Sequence, residues 1–481
     1  MHAAFLVVYL VVLIGLGIVK SRQVKTQEDF ALAGRGLGSA VLTGTLLATW
    51  IGTGSIYGNT QRAFQDGLSA FVLPLSSALG ILVLFSLAAR LRRMNKVTIQ
   101  DILEERFGVA TRIIGTVALI SGYLIIVSYQ YRAGSAVVER VLPDLSHDQA
   151  IYFVATFVIA YTALAGMFSV AYTDLANGIL MTVGLVAALG ILLVQLGGPS
   201  QVFEHLPSSH QDPFGYSSAR IISYLLPSFL LILGDANMYQ RFFSAKTPET
   251  ARRSAAGMFF GVLILDWLII GVALCGVALV ATGKMSAPEN PAHGIVHIAF
   301  EALPPFLGAM LSATVVAVVV STADSYLLSP ASSLVRDVYQ RFLRKDAGDR
   351  EVVGASRLII VGLGLIALFL SFQSDEFFGV ALFAYTLYGA AITPPLLAAL
   401  FWKGATPAGA VASMLTGLGT AIAWEFWLGE RITTWAGEAG MTGTHEFLQN
   451  LDAALPAVLV SVFALVVVSR FGRPNSDALS A

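Results

Sequence analysis

The chain has 481 residues, 56% of them hydrophobic and only 12% charged, with a net charge of −1 and a mean hydropathy of +0.74. Soluble domains carry about 25% charged residues, so this composition excludes an ordinary soluble protein and specifies one embedded in a lipid bilayer. No nucleic-acid partner is expected, and the single cysteine, Cys275, excludes an internal disulfide or a cysteine metal cluster.

Taking about 20 apolar residues per crossing, the sequence predicts thirteen spans. The first, 3–19, lacks the basic start and small-residue cleavage site of a secretory leader and reads as a retained helix. The second, 38–64, contains ATWIGTGSIYGN (48–59), where Gly52, Gly54 and Gly58 interrupt an otherwise helical stretch. A carbonyl freed in hydrocarbon must find a partner, so such a break is tolerated only where it is buried in protein or lines a cavity. Spans 69–91, 111–139, 150–168 and 172–196 follow, with TIQDILEERFG (98–108) expected as a short amphipathic helix at the inner surface. The seventh span, 219–240, carries a second break at PSFLLILGD (227–235). Spans 255–282, 304–334, 353–372 and 377–401 come next, the last expected to bend at Thr393, Pro394 and Pro395. Spans 405–428 and 453–469 and a short polar tail after Arg473 complete the chain.

Cytoplasmic loops are enriched in Lys and Arg. With the N-terminus outside, all of the 29 basic residues except Arg62, Arg132, Arg140, Arg220, Lys284 and Arg431 fall on the inner side, Arg22, Arg241 and Arg473 among them. An odd number of spans then leaves the C-terminus in the cytoplasm. The seven histidines, His2, His147, His205, His210, His293, His297 and His445, all fall outside, which excludes a histidine proton relay within the membrane. His293 and His297 have the spacing of a metal pair if helical, but no Glu follows His293, and both are expected to be ordinary loop residues.

The two breaks each head a unit of five spans, 38–196 and 219–401. Five is odd, so the second unit crosses in the opposite sense: an inverted-topology repeat with one extra helix in front and two behind (405–469), all within one transmembrane domain. Breaks of this kind bind ions and substrate in many transporters. Asp174, Asp235 and Asp324 lie in apolar spans, where an unpaired carboxylate costs roughly 2.5–3.5 kcal/mol or more, so each is a functional candidate. Asp266 is expected to satisfy polar groups between helices. Val318, Ser321 and Thr322, at i, i+3 and i+4, share a helix face; the Ser321 and Thr322 hydroxyls either complete an oxygen site or bond back to their own helix.

The strings EDFALAGRGLG (28–38), the first break, AYTDLANGILM (171–181), LGDANMYQRFFSAK (233–246) and STADSYLLSPASSLVRDVYQR (321–341) resemble the sodium:solute symporter family, in order, over residues 3 to 470. The resemblance implies an all-α polytopic membrane protein of the cell membrane with the leucine-transporter-type 5+5 inverted repeat. It also implies sodium-driven import of a small organic solute by alternating access. Sodium is a hard cation that takes oxygen ligands, and the resemblance places it among the carbonyls of Ala48, Ile51 and Val318 and the hydroxyls of Ser321 and Thr322. A second sodium would involve Asp174, Asp324 and Ser325; the alternative for Asp174 is a structural pair with an inner-loop arginine. Substrate contacts are expected from Trp50 facing Asp235, from Thr53, Ser55 and Tyr57, from Tyr129 and Gln130, from Asn237 and Tyr239, and from Tyr385 and Tyr388. Choline carriers of the family share the tryptophan, which points to an amine or quaternary ammonium solute held by cation-π attraction. Trp50 as packing and Asp235 bonded to backbone donors are the alternatives. Competing functions are proton coupling through Asp174 or Asp235, or a sensor or channel with the same fold. No HExxH, GxSxG or P-loop string is present, so no enzyme is expected. Neither the solute nor the oligomeric state is set by the sequence.

Overall fold

The computed structural model describes residues 1–21, 24–374 and 377–472; Arg22, Arg473 and the tail beyond it lie outside the described residues. The helices in order are α1 (His2–Ser21), α2 (Gln27–Leu32), α3 (Ser39–Trp50), α4 (Asn59–Asp66), α5 (Pro74–Arg93), α6 (Ile99–Phe107) and α7 (Val109–Val141). Then come α8 (His147–Leu196), α9 (Pro199–His205), α10 (Ser218–Gly234), α11 (Ala236–Ser244), α12 (Pro248–Ala281), α13 (Gly294–Glu301) and α14 (Pro305–Leu334). The chain ends with α15 (Asp349–Ser371), α16 (Phe378–Phe401), α17 (Pro407–Ala423), α18 (Gly429–Glu438), α19 (Thr442–Gln449) and α20 (Ala454–Phe471). Among the described residues there is no strand; one isolated parallel bridge joins Leu37 to Ala245.

Among the described residues, eleven helices are long and apolar enough to cross a membrane, and a twelfth crossing arises if α3 and the helical stretch from Gly54 are taken as one bent span. The sequence places two spans at 150–168 and 172–196; both lie in α8, as two limbs that meet at a kink at Gly166 rather than at 169–171. Gly166 stands inside it at φ 74°, ψ 168°, a conformation that breaks the helix path and that side chains on L residues resist. Span 405–428 also differs: after α17 a wide turn at Trp424–Leu428 leads on into α18, beyond the predicted end. Through Pro394 and Pro395, α16 continues without interruption.

The helix at 98–108 forms as α6, opened by Thr98 accepting from the Asp101 amide while Asp101 accepts in return, a capping box. The same device opens α2 at Thr26 and α8 at Ser146. At the centre stands α14, buried at every residue from Gly308 to Ser333, packed by α8, α7, α15, α1 and α3. Glycine also lets α3 approach α8 closely: a Cβ built at Gly44 of α3 would lie 3.0 Å from the Leu175 Cα of α8. By contrast α1 exposes Val7, Val8, Val11 and Val12, as a helix at the lipid boundary does.

His297 lies in α13 rather than in a loop. It is buried, contacting the Ser286 carbonyl (2.9 Å) and Glu301 (3.2 Å). No group of three metal-ligating side chains occurs among the described residues.

Candidate functional site

The first break begins where α3 stops. Ile51 leaves the helix at φ −71°, ψ 78°, and the Gly52 amide, which would bond the Ala48 carbonyl in a continuous helix, donates to Trp50 instead (2.8 Å). The chain then re-forms through a wide turn at Gly54–Gly58 into α4, bent by 52°. The freed Ala48 carbonyl accepts from the Ser321 hydroxyl of α14 at 2.7 Å. Beside it, the Thr322 hydroxyl is buried and has no hydrogen-bond partner among the described residues. Gly52 is what permits this approach, since a Cβ there would meet both Thr322 Oγ1 and Cγ2 at 3.0 Å. Ala48, Ile51, Val318, Ser321 and Thr322 are all buried. Main-chain oxygen freed from a helix beside an unpaired buried hydroxyl is the donor set a hard monovalent cation requires.

The second break lies at one residue, Asp235, in extended conformation between α10 and α11. Three carbonyls beside it accept from side chains. Tyr239 donates to Leu233 (3.0 Å), Tyr388 to Gly234 (2.8 Å) and Thr393 to Leu230 (2.6 Å). Asp235 itself caps α11, one oxygen accepting from the amides of Asn237 (2.7 Å) and Met238 (3.1 Å), the other from the Tyr326 hydroxyl (2.9 Å). This is the backbone-bonded alternative for Asp235, and it leaves Tyr239 and Tyr388 engaged with the break.

A cavity of about 60 Å³ lies beside Thr322. Of the residues expected to meet substrate, Trp50, Ser55, Tyr129, Gln130 and Tyr385 line it; Thr53, Tyr57, Asp235, Asn237, Tyr239 and Tyr388 do not. Thr53 donates to Gln130 Oε1 (2.6 Å) and Tyr57 to the Ala133 carbonyl (2.5 Å), so both tie the first break to α7. The Tyr129 and Tyr385 hydroxyls meet at 3.1 Å. Phe378 packs on Tyr224 (5.3 Å between centroids), and the Arg62 guanidinium lies over both rings. The sequence reading missed Tyr326, Asn59 and Asp266 as lining residues. Two were accessible from spacing: Tyr326 is one turn beyond Thr322 and Asn59 one turn beyond Ser55.

Two of the second-sodium candidates, Asp174 and Ser325, bond a cation supplied by the protein. Arg241, grouped by sequence with the basic loops, is fully buried in α11. It donates to Ser325 Oγ (2.6 Å), Thr45 Oγ1 (2.9 Å) and Asp174 Oδ2 (3.3 Å), and Thr45 donates to the same Asp174 oxygen (2.5 Å). Asp324 points elsewhere, accepting from Thr162 of α8.

The family model for the sodium:solute symporter family matches residues 30–417. The high-affinity proline transporter PutP of Bacillus subtilis is 26% identical, covering 95% of this chain and 95% of that protein. The sodium/proline symporter of Escherichia coli is 25% identical, covering 98% and 93%. Among solved structures, the substrate-bound outward-open state of a Na+-coupled sialic acid symporter aligns with a TM-score of 0.85 at 16% identity, over 98% of both chains. The inward-facing conformation of Mhp1 aligns at 0.54 and 14%, over 95% of both. These structural likenesses are likenesses of fold.

Proposed function

Since the chain belongs to the sodium:solute symporter family, we propose that it imports a small organic solute by alternating access, with sodium held between the first break and α14. It is a secondary transporter and not an enzyme; it works as a sodium-coupled symporter in a membrane. The observation that carries the ion assignment is the pair formed by the freed Ala48 carbonyl and the unpartnered Thr322 hydroxyl, brought together at the centre of the molecule. The carbonyls of Ile51 and Val318 complete the proposed set.

The sodium coupling of the relatives argues against a proton as the driving ion. Proline and sialic acid as cargoes of relatives argue for a compact polar solute here. Each positive charge moved inward at 100 mV contributes about 2.3 kcal/mol, a roughly fifty-fold solute ratio before the sodium gradient is added. Coupling further requires that sodium favour the solute-ready state, because an ion with equal affinity for both states shifts nothing.

We read the eleven helices as thirteen spans by counting the broken pair and the two limbs of α8 on either side of Gly166. The inverted repeat, an external N-terminus and a cytoplasmic C-terminus follow from that count and from the basic-residue distribution. A second sodium at Asp174, Asp324 and Ser325 belongs, on this reading, to a state in which Arg241 has withdrawn. The test is uptake into proteoliposomes: it should depend on sodium, and Ser321→Ala with Thr322→Ala should abolish that dependence. Equal uptake with sodium replaced by potassium would reject the proposal.

A further inference from the structure

Asp266 of α12 is the cavity's one lining carboxylate. It is 3% exposed, and no lysine, arginine or histidine reaches it to form an ion pair among the described residues. Asn59 Nδ2 donates to one of its oxygens at 3.1 Å, and the Ser55 hydroxyl bears on it as well. A carboxylate offers about four acceptor positions, so the Asn59 bond leaves acceptor capacity beside the cavity and brings no cation to it. Burying a carboxylate without a cation is costly. Of the other buried carboxylates described above, Asp174 has Arg241, Asp235 has two amides and a tyrosine, and Asp324, which accepts from Thr162, does not line the cavity.

A second, independent observation lies across α7. Gln130 is wholly buried and lines the same cavity. Its Oε1 accepts from Thr53, but its Nε2 has no hydrogen-bond partner among the described residues. The amide therefore holds two unused donors. Trp50, Tyr129 and Tyr385 line the same cavity. At roughly 10–15 Å³ per water-sized group, the cavity's volume accommodates about four to six such groups, the bulk of a small amino acid.

We propose that Asp266 binds the ammonium group, and Gln130 the carboxylate, of a small zwitterionic solute, so that this carrier selects amino-acid-like cargo by charge at both ends. This rests on the symport reading above and refines it: an ammonium supplies the cation that Asp266 lacks, and a carboxylate takes the hydrogens that Gln130 leaves unused. Each group is left unpaired by a solute that lacks its counterpart, and an unpaired buried polar group is what makes such discrimination steep.

The experiment is binding to the purified full chain in sodium and in potassium, by thermal shift and titration. The probes are glycine, L-alanine and L-proline, with L-lactate and propionate as relatives of alanine lacking the ammonium, and glycerol and glucose as neutral solutes. The expected result is sodium-dependent binding of at least one amino acid, with L-lactate at least roughly 30-fold weaker than L-alanine. Asp266→Asn should weaken amino-acid binding by at least roughly 30-fold, as truncation of a buried charge pair does, without changing the stabilisation given by sodium alone. Gln130→Glu should weaken it at least roughly tenfold by opposing the solute carboxylate. The proposal is overturned if L-lactate matches L-alanine, if no amino acid binds, or if Asp266→Asn stays within about threefold of the unaltered chain. It is overturned too if that substitution moves only the sodium midpoint, which would make Asp266 an ion ligand. Should Asp266→Asn not fold, the alanine and lactate comparison decides alone. Sodium-dependent binding of a sugar or a plain carboxylate would remove this inference and leave the symport reading standing. Binding indifferent to sodium would remove the symport reading, while the alanine and lactate comparison would still report on Asp266.

Discussion

Arg241 shows what one side chain does when it is placed in the core. Its guanidinium reaches Asp174, Ser325, Thr45 and the Asn237 carbonyl, joining α11 to α8, α14 and α3. Breaking a buried pair by removing one partner leaves an uncompensated charge and costs about 3–5 kcal/mol. Arg241→Met should therefore lower thermal stability sharply, and adding Asp174→Asn should recover most of the loss. Melting curves for the two single variants and the double variant check this; additive losses would mean the two residues are not a unit. In the sequence Asp174 was visible as an anomaly because a carboxylate in an apolar span stands out. Its partner was not visible, since Arg241 sits among basic residues that do belong to loops. Only packing separates a buried arginine from an exposed one.

At the scale of the helices, local rules and tertiary contacts divide the work. Capping residues place the starts of α2, α6 and α8, and these signals can be read directly from Thr, Ser and their acidic or amide partners three residues on. The path of α8 depends on Gly166 instead, whose positive φ lets the helix turn and whose missing side chain admits the Phe30 ring of α2; a Cβ there would meet that ring at 2.9 Å. Gly166→Ala should destabilise by about 1–3 kcal/mol. Gly190→Ala, in open space on the same helix, should be neutral or stabilise by up to about 1 kcal/mol. Thermal denaturation of the two variants side by side tests the contrast, and equal effects would contradict it. The sequence reading put the junction between two spans at 169–171, and the structure puts the kink between the two limbs of α8 at Gly166, a few residues earlier.

Across the whole molecule, a charged cluster on the basic side ties distant parts of the chain together. Asp101 and Glu104 of α6 meet Arg112 of α7, and Arg336 and Arg341 beyond α14 meet the same two carboxylates. Burial pushes the Asp101 carboxyl up, but Arg336 and Arg112, with the Val97 amide, more than reverse this and hold it below the usual carboxylate range. Its folded pKa thus lies below the unfolded value of about 3.9, so Asp101 stabilises the fold above that value, and the contribution is lost as pH falls through the folded pKa. Asp101→Asn should be less stable than the unaltered chain at pH 7, and the gap should narrow as pH drops below about 4. Melting scans from pH 7 to pH 3 measure this; a gap constant with pH would show that the charge is not what matters.

The sequence by itself determined that the chain is an all-helical membrane protein, where its two helices break, and that Ser321 and Thr322 share one face. Each of these follows from composition, glycine placement and helical period, which are properties of neighbouring residues. Tertiary structure alone decided that the first break meets α14 with an oxygen to spare, while the second is closed by Tyr239, Tyr388 and Thr393. It likewise decided that Asp235 caps a helix while Asp266 lines the cavity. Whether a buried polar group is satisfied depends on partners tens to hundreds of residues away, and no local pattern records which of them arrives.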